Sequence, residues 1–136
     1  MAFLKPYLSR LLALILVVAI GLMGCSANNP SGLSGNYSQD TLTVLESLNK
    51  ALDLPNDAPE KPEVVKVART QMNDYAARYR RNNKVAGLRS FTTMQTAVNS
   101  LAGFYSSYGT RPVSEKLKKR LKQEFRQVEL ALKRGL

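Results

Sequence analysis

Apolar residues between positions 38 and 136 recur at spacings of three and four, in four stretches separated by proline, glycine and asparagine, and this spacing predicts four amphipathic helices. The first stretch sets Leu42, Leu45, Leu48 and Leu52 on one face, after the polar starters Ser38 and Asp40 and before Pro55. The second opens at Pro62, a residue suited to a first helical turn, and aligns Val64, Ala68, Met72, Tyr75 and Tyr79 before Asn82-Asn83. In the third, Ser90 is the expected N-cap, and Met94, Val98, Leu101, Tyr105 and Tyr108 form a stripe widened by Ala97 and Phe104 and closed by Gly109 and Pro112. The fourth starts near Ser114-Glu115 and carries Leu117, Leu121, Phe125, Val128 and Leu132 as far as Gly135. No alternation of strand type competes. Each stripe alone would face water, and short connections return successive helices antiparallel. The expected fold is therefore all-α, an up-down-up-down four-helix bundle whose core is the set of stripe residues.

The first 24 residues follow a different pattern. Lys5 and Arg10 precede an uncharged apolar run from Leu11 to Ile20, and Leu22-Met23-Gly24-Cys25 has the form of a bacterial lipobox. The run is shorter than the roughly 20 residues a membrane span needs, but it suits an export signal that is cleaved. Three regions are expected: a signal peptide at 1–24, a lipidated flexible tether at 25–37 (with Ser26-Ala27-Asn28-Asn29-Pro30-Ser31-Gly32 as its polar part) and the bundle domain at 38–136. Lipidation of Cys25 would hold the domain at a membrane surface, since each buried methylene adds about 0.8 kcal/mol and two acyl chains retain what one would release. The alternatives for Cys25 are a small buried hydrophobe or a reactive thiol in a retained anchor helix.

Composition narrows the chemistry. The chain has no histidine and one cysteine, so the side chains most used for zinc, nucleophilic or neutral-pH general-base chemistry are missing or committed to lipid. No enzyme activity, metal or cofactor is expected. Asp57, Glu60 and Glu63 form the nearest thing to an acidic cluster, but they surround Pro55, Pro59 and Pro62 just ahead of a helix, where acids favour the positive end of the helix dipole. Met72 and Met94 read as core fillers.

Twenty basic against ten acidic residues give a net charge of +10, and residues 1–24 hold only two of the basic ones, so residues 25–136 call for an anionic partner. Lys116, Lys118, Lys119, Arg120 and Lys122 interleave with the apolar positions of the fourth helix, which is how a solvated helical face looks. Arg78, Arg80, Arg81 and Lys84, with Arg89 nearby, gather where the second helix ends and its dipole favours cations. Nucleic acid is the general partner for such basicity, but the export signal opposes it and no recognition motif accompanies it. A lipoprotein binding an anionic polymer or lipid surface through its basic face, and a small enzyme using carboxylates alone, are the readings from other classes.

Tyr79-Arg80-Arg81, Ser90-Phe91-Thr92-Thr93-Met94-Gln95-Thr96-Ala97, and Arg111-Pro112 followed by Glu115-Lys116-Leu117-Lys118-Lys119-Arg120-Leu121, together with Gly35-Asn36-Tyr37 and Asp40-Thr41-Leu42, resemble the photosystem II assembly lipoprotein family, Psb twenty-seven, of cyanobacterial type. The resemblance runs from about Gly35 to Gly135; Ser114 stands where a proline is expected. It implies a monomeric four-helix bundle, lipid-anchored on the lumenal side of the thylakoid membrane. Such a bundle would act without turnover in photosystem II assembly and repair, binding the smaller inner antenna chlorophyll protein before the manganese cluster and extrinsic subunits are in place. Arg80, Arg81, Arg89, Tyr108 and Arg111 are the expected partner contacts.

Overall fold

The computed structural model describes residues 29–109 and 111–136. The expected signal peptide and Cys25 lie outside the described residues. Among the described residues there are four helices and no strands: α1 (Tyr37–Asp53), α2 (Lys61–Tyr79), α3 (Arg89–Tyr108) and α4 (Glu115–Lys133). None is long and apolar enough to cross a membrane.

Local chemistry sets each boundary. The Asn36 side chain accepts from the backbone N–H of Gln39 at 3.0 Å and caps α1. Pro62 sits in the first turn of α2, and Ser114 caps α4 by accepting from Leu117 N at 3.3 Å. α4 ends in a Schellman arrangement: Gly135 has φ +70, Leu136 N donates to Ala131 O at 2.9 Å and Gly135 N to Leu132 O at 3.1 Å. Expected and observed beginnings differ for α3. It starts at Arg89 with Leu88 in the cap position, and Ser90 lies inside the first turn. Instead of capping, the buried Ser90 hydroxyl shares a 2.7 Å hydrogen bond with the Tyr37 hydroxyl. Its backbone N–H is satisfied at 3.3 Å by the backbone oxygen of Leu136, from the end of α4.

α1 packs chiefly on α2 and α3 on α4, so the bundle is two helical hairpins laid together. Leu45, Leu48, Leu52, Ala68, Met72, Tyr75, Tyr79, Met94, Ala97, Val98, Leu101, Tyr105, Leu121, Phe125 and Val128 are buried as the stripes predict. Val64, Phe104, Leu117 and Leu132 are only partly buried, packed against that core. Two expected core residues are not in it. Leu42 is 49% exposed, because the buried face of α1 centres on Thr41, Val44, Leu45 and Leu48 and position 42 lies roughly a third of a turn away. Tyr108 is 52% exposed at the very end of α3, its ring tilted against Phe104 with ring centres 5.0 Å apart.

The folded unit also begins earlier than residue 38. Ser31 and Leu33, expected in the tether, are buried against the bundle, so the packed chain starts at Ser31. Val85, in the α2–α3 connection, completes the core at the same end.

Candidate docking surface

Antiparallel packing brings the N-terminus of α1, the C-terminus of α2, the start of α3 and the end of α4 to one end of the bundle. At that end a polar network is built around Asp40, which is 1% exposed. One carboxylate oxygen accepts from Ser34 N at 2.7 Å and Ser34 Oγ at 2.9 Å, and the other from Gly35 N at 3.0 Å and Tyr79 Oη at 2.6 Å. Burial opposes ionisation, yet the hydrogen bonds from Tyr79, Ser34 and Gly35 outweigh it and hold the Asp40 carboxyl below its usual value. Tyr79 shows the complement: burial and its bond to Asp40 push the phenol well above 10.0.

The same end holds a cluster of aromatic rings. Tyr37 meets Tyr79 edge-on at 5.4 Å, and Tyr75 lies 5.1 Å from Tyr79 and 6.2 Å from Phe91. The Tyr75 hydroxyl shares a 2.9 Å bond with Thr41, whose hydroxyl also reaches the Tyr37 carbonyl at 2.7 Å. One step further back, Ser31 donates to Asp74, Gln71 Nε2 donates to the Ser31 carbonyl at 3.1 Å, and Arg78 pairs with Asp74 at 2.9 Å. Burial works against the Asp74 carboxylate as well, and the bonds from Ser31 and Arg78 overcome it, keeping its pKa below the usual carboxylate value. These contacts fix the path by which residues 31–36 enter the bundle. Periodicity carried back from Val44 and Leu45 puts Asp40 and Thr41 on the buried face, a signal the sequence contains and the stripe of leucines obscured.

The cationic residues divide into tied and open groups. Arg78 is paired, Lys122 clips α4 to Asp53 at the end of α1 at 2.7 Å, and Arg120 meets Glu124 at 3.3 Å and donates to Ser100 at 2.5 Å. The basic row on α4 is thus partly structural rather than wholly a solvated face. Arg80, Arg81, Lys84 and Arg89 are exposed, with no carboxylate at ion-pair distance among the described residues. They surround a connection wound on Asn82, whose carbonyl accepts from Val85 N at 3.0 Å and Ala86 N at 2.9 Å, and whose side chain accepts from Lys84 N at 3.0 Å.

The five expected contact residues do not form one patch. Arg80, Arg81 and Arg89 share the end just described. Tyr108 and Arg111, also exposed, sit at and just beyond the other end of α3, about 28 Å away at 1.5 Å per residue. Near that second end a groove of about 780 Å³ opens between the hairpins, with Leu52, Val65 and Tyr105 among its apolar lining and Lys66, Arg69, Arg111 and Lys118 among its cations. The guanidinium of Arg69 stands 5.7 Å above the centre of the Tyr105 ring. Sequence reasoning missed Arg69, since nothing local marks it and its partner ring comes from another helix. Asp57, Glu60 and Glu63 are exposed, with Glu63 in the first turn of α2 and Glu60 at its N-cap making no side-chain bond. Among the described residues no group of three or more potential metal-ligating side chains is assembled.

Fold and surface together define an all-α bundle of two hairpins with open cationic groups at both ends. Comparison with known proteins makes this specific: residues 9–132 match the family model described as Photosystem II Pbs27, and the chain belongs to that family. It is 63% identical over all 136 residues, and over the whole of both chains, to the photosystem II lipoprotein Psb27 of Synechocystis sp.. It is 52% identical over 130 residues, 96% of each chain, to the photosystem II assembly factor lipoprotein Psb27 of Thermosynechococcus vestitus. The solution structure of Psb27 from cyanobacterial photosystem II superposes with a TM-score of 0.73 at 62% identity, covering 78% of this chain and 92% of that one.

Proposed function

We propose that this chain is a non-enzymatic assembly and repair factor of photosystem II, anchored through lipid on Cys25 to the lumenal side of the thylakoid membrane and acting as a monomer. It holds intermediates that lack a mature manganese cluster and extrinsic subunits, through the smaller inner antenna chlorophyll protein. The observation that carries this reading is end-to-end similarity to relatives named as a photosystem II lipoprotein and a photosystem II assembly factor. The open cations support it chemically. Arg80, Arg81 and Arg89 at one end, and Arg111 beside Tyr108 at the other, can make bidentate bonds to partner carboxylates, which steer encounter and fix orientation. A lipid anchor raises the local concentration near a membrane-embedded partner, so a modest and reversible contact suffices.

Affinity purification of the tagged full-length protein from its host's photosynthetic membranes tests the reading. Stoichiometric recovery of the antenna protein with incomplete photosystem II is expected. Its absence from the eluate overturns the reading. Mass spectrometry of the same material checks the anchor: a chain beginning at an acylated Cys25 is expected, and an intact N-terminus with a free thiol contradicts it.

A further inference from the structure

The groove between the hairpins has features that neither a flat lipid surface nor a featureless polyanion would use. It is recessed, and Leu52 and Tyr105, both almost fully buried, lie at its base with Val65 beside them. Its cations come from three separate elements: Lys66 and Arg69 from α2, Arg111 from the α3–α4 connection and Lys118 from α4. Two carboxylates also line it, but Asp53 is neutralised by Lys122 at 2.7 Å and Glu115 lies in the first turn of α4, where the helix dipole favours it. Lys61 is engaged with the Leu54 carbonyl at 3.2 Å and Asn56 at 2.6 Å. Lys66, Arg69, Arg111 and Lys118 therefore stand against the single carboxylate of Glu115, a net positive balance within the groove, and Arg69 is held in place over Tyr105, so its guanidinium loses little freedom on taking a ligand.

We propose that this groove receives an extended acidic peptide segment of the partner, with one apolar or aromatic side chain seated against the half-buried Val65, beside the Arg69–Tyr105 pair, and flanking carboxylates bound by Arg69, Arg111 and Lys118. The volume, about 780 Å³, falls in the range that accommodates such an anchor. An anchor in an apolar recess ringed by charge-assisted bonds is the arrangement in which a few residues carry most of the affinity. The proposal rests on the partner being a photosystem II protein, and it adds which part of that protein enters this one.

The test places a photoreactive benzophenone side chain at Thr70, a neutral groove residue, in the full-length protein within its host's membranes, with a control at exposed Gln127 on α4. Irradiation should yield a covalent adduct from position 70 to a photosystem II subunit, mapping by mass spectrometry to a stretch with carboxylates close to an apolar residue. Position 127 should yield far less. A second arm uses Arg69→Glu with Lys118→Glu, with helicity checked by circular dichroism, and expects at least a tenfold drop in recovered photosystem II. Adducts to lipid, to a non-acidic segment, or from position 127 alone overturn the groove proposal while unmodified protein still recovers photosystem II. If unmodified protein recovers none, the functional reading falls first and takes the groove proposal with it.

Discussion

Asp40 concentrates much of the bundle's specificity in one side chain, because each of its oxygens accepts two hydrogen bonds. Asp40→Asn keeps the shape but points an amide NH2 at one backbone N–H and one hydroxyl; the hydroxyl can turn and accept from it, while the buried N–H of Ser34 or Gly35 loses its acceptor. The expected cost is about 1–3 kcal/mol, read as a lower urea midpoint. Tyr79→Phe leaves three donors in place and should cost about 1–1.5 kcal/mol. The pH dependence follows from the same contacts. Asp40 and Asp74 have folded pKa values below the ordinary carboxyl value of 3.8, so their stabilisation is fully present above that value and is lost as pH falls through the lower folded pKa. Tyr75 and Tyr79 are shifted up from 10.0, chiefly by burial, so their contribution is intact below pH 10.0 and declines as pH rises above it. Denaturant midpoints against pH should show a plateau with falls on both sides, and Asp40→Asn should have a shallower acid limb. A stability that rises on acidification would contradict the assignment. At this scale the sequence was half legible: Tyr75 and Tyr79 of the aromatic cluster were visible as stripe positions, whereas Tyr37 and the buried Phe91 were not, and Asp40, Thr41, Ser31 and Ser90 act through partners on other elements that no local pattern names.

At the level of elements, helix existence was legible because four stripes and their breakers coincide, and the start of α4 fell at the expected cap Ser114, whereas α1 is capped by Asn36 ahead of the expected starters Ser38 and Asp40. The departures have physical causes. α3 takes its first-turn partner from Leu136 and so leaves Ser90 free to bond Tyr37. The chain before α1 packs because Leu33 completes the core. The α3–α4 corner offers a quantitative check. Gly109 has φ 60 and ψ −121, a conformation that side-chain-bearing residues avoid, although a Cβ there would touch nothing within 4 Å. Gly109→Ala therefore tests backbone strain without steric overlap and should cost about 1–3 kcal/mol. Ser114→Ala removes one capping bond and should cost about 1 kcal/mol. In a domain of this size each kcal/mol lowers the melting temperature by about 2–8 °C, so calorimetry should rank Gly109→Ala as the more damaging. The reverse order would show that the corner relaxes more easily than the cap.

For the whole molecule, the two cationic ends were legible in the sequence because they bracket the third predicted helix, whereas the groove between the hairpins depends on how the helices pack and was not. The two ends stand about 28 Å apart, several times the screening length of about 8–10 Å at physiological salt. Charges at one end therefore do not alter the potential at the other, and with a rigid bundle between them they can act only as independent contacts. Suppose Arg80→Glu with Arg81→Glu weakens binding to depleted photosystem II membranes by some factor, and Arg111→Glu by another. The triple variant should then lose the product of the two factors, to within about 0.3–0.5 kcal/mol, because distant sites without shared partners add in free energy. Raising salt should shrink both factors, as expected for exposed charges. A triple variant no weaker than the worse of its parents would mean that the partner meets one end at a time, and the bundle would then be a pivot between alternative contacts rather than a strut spanning two.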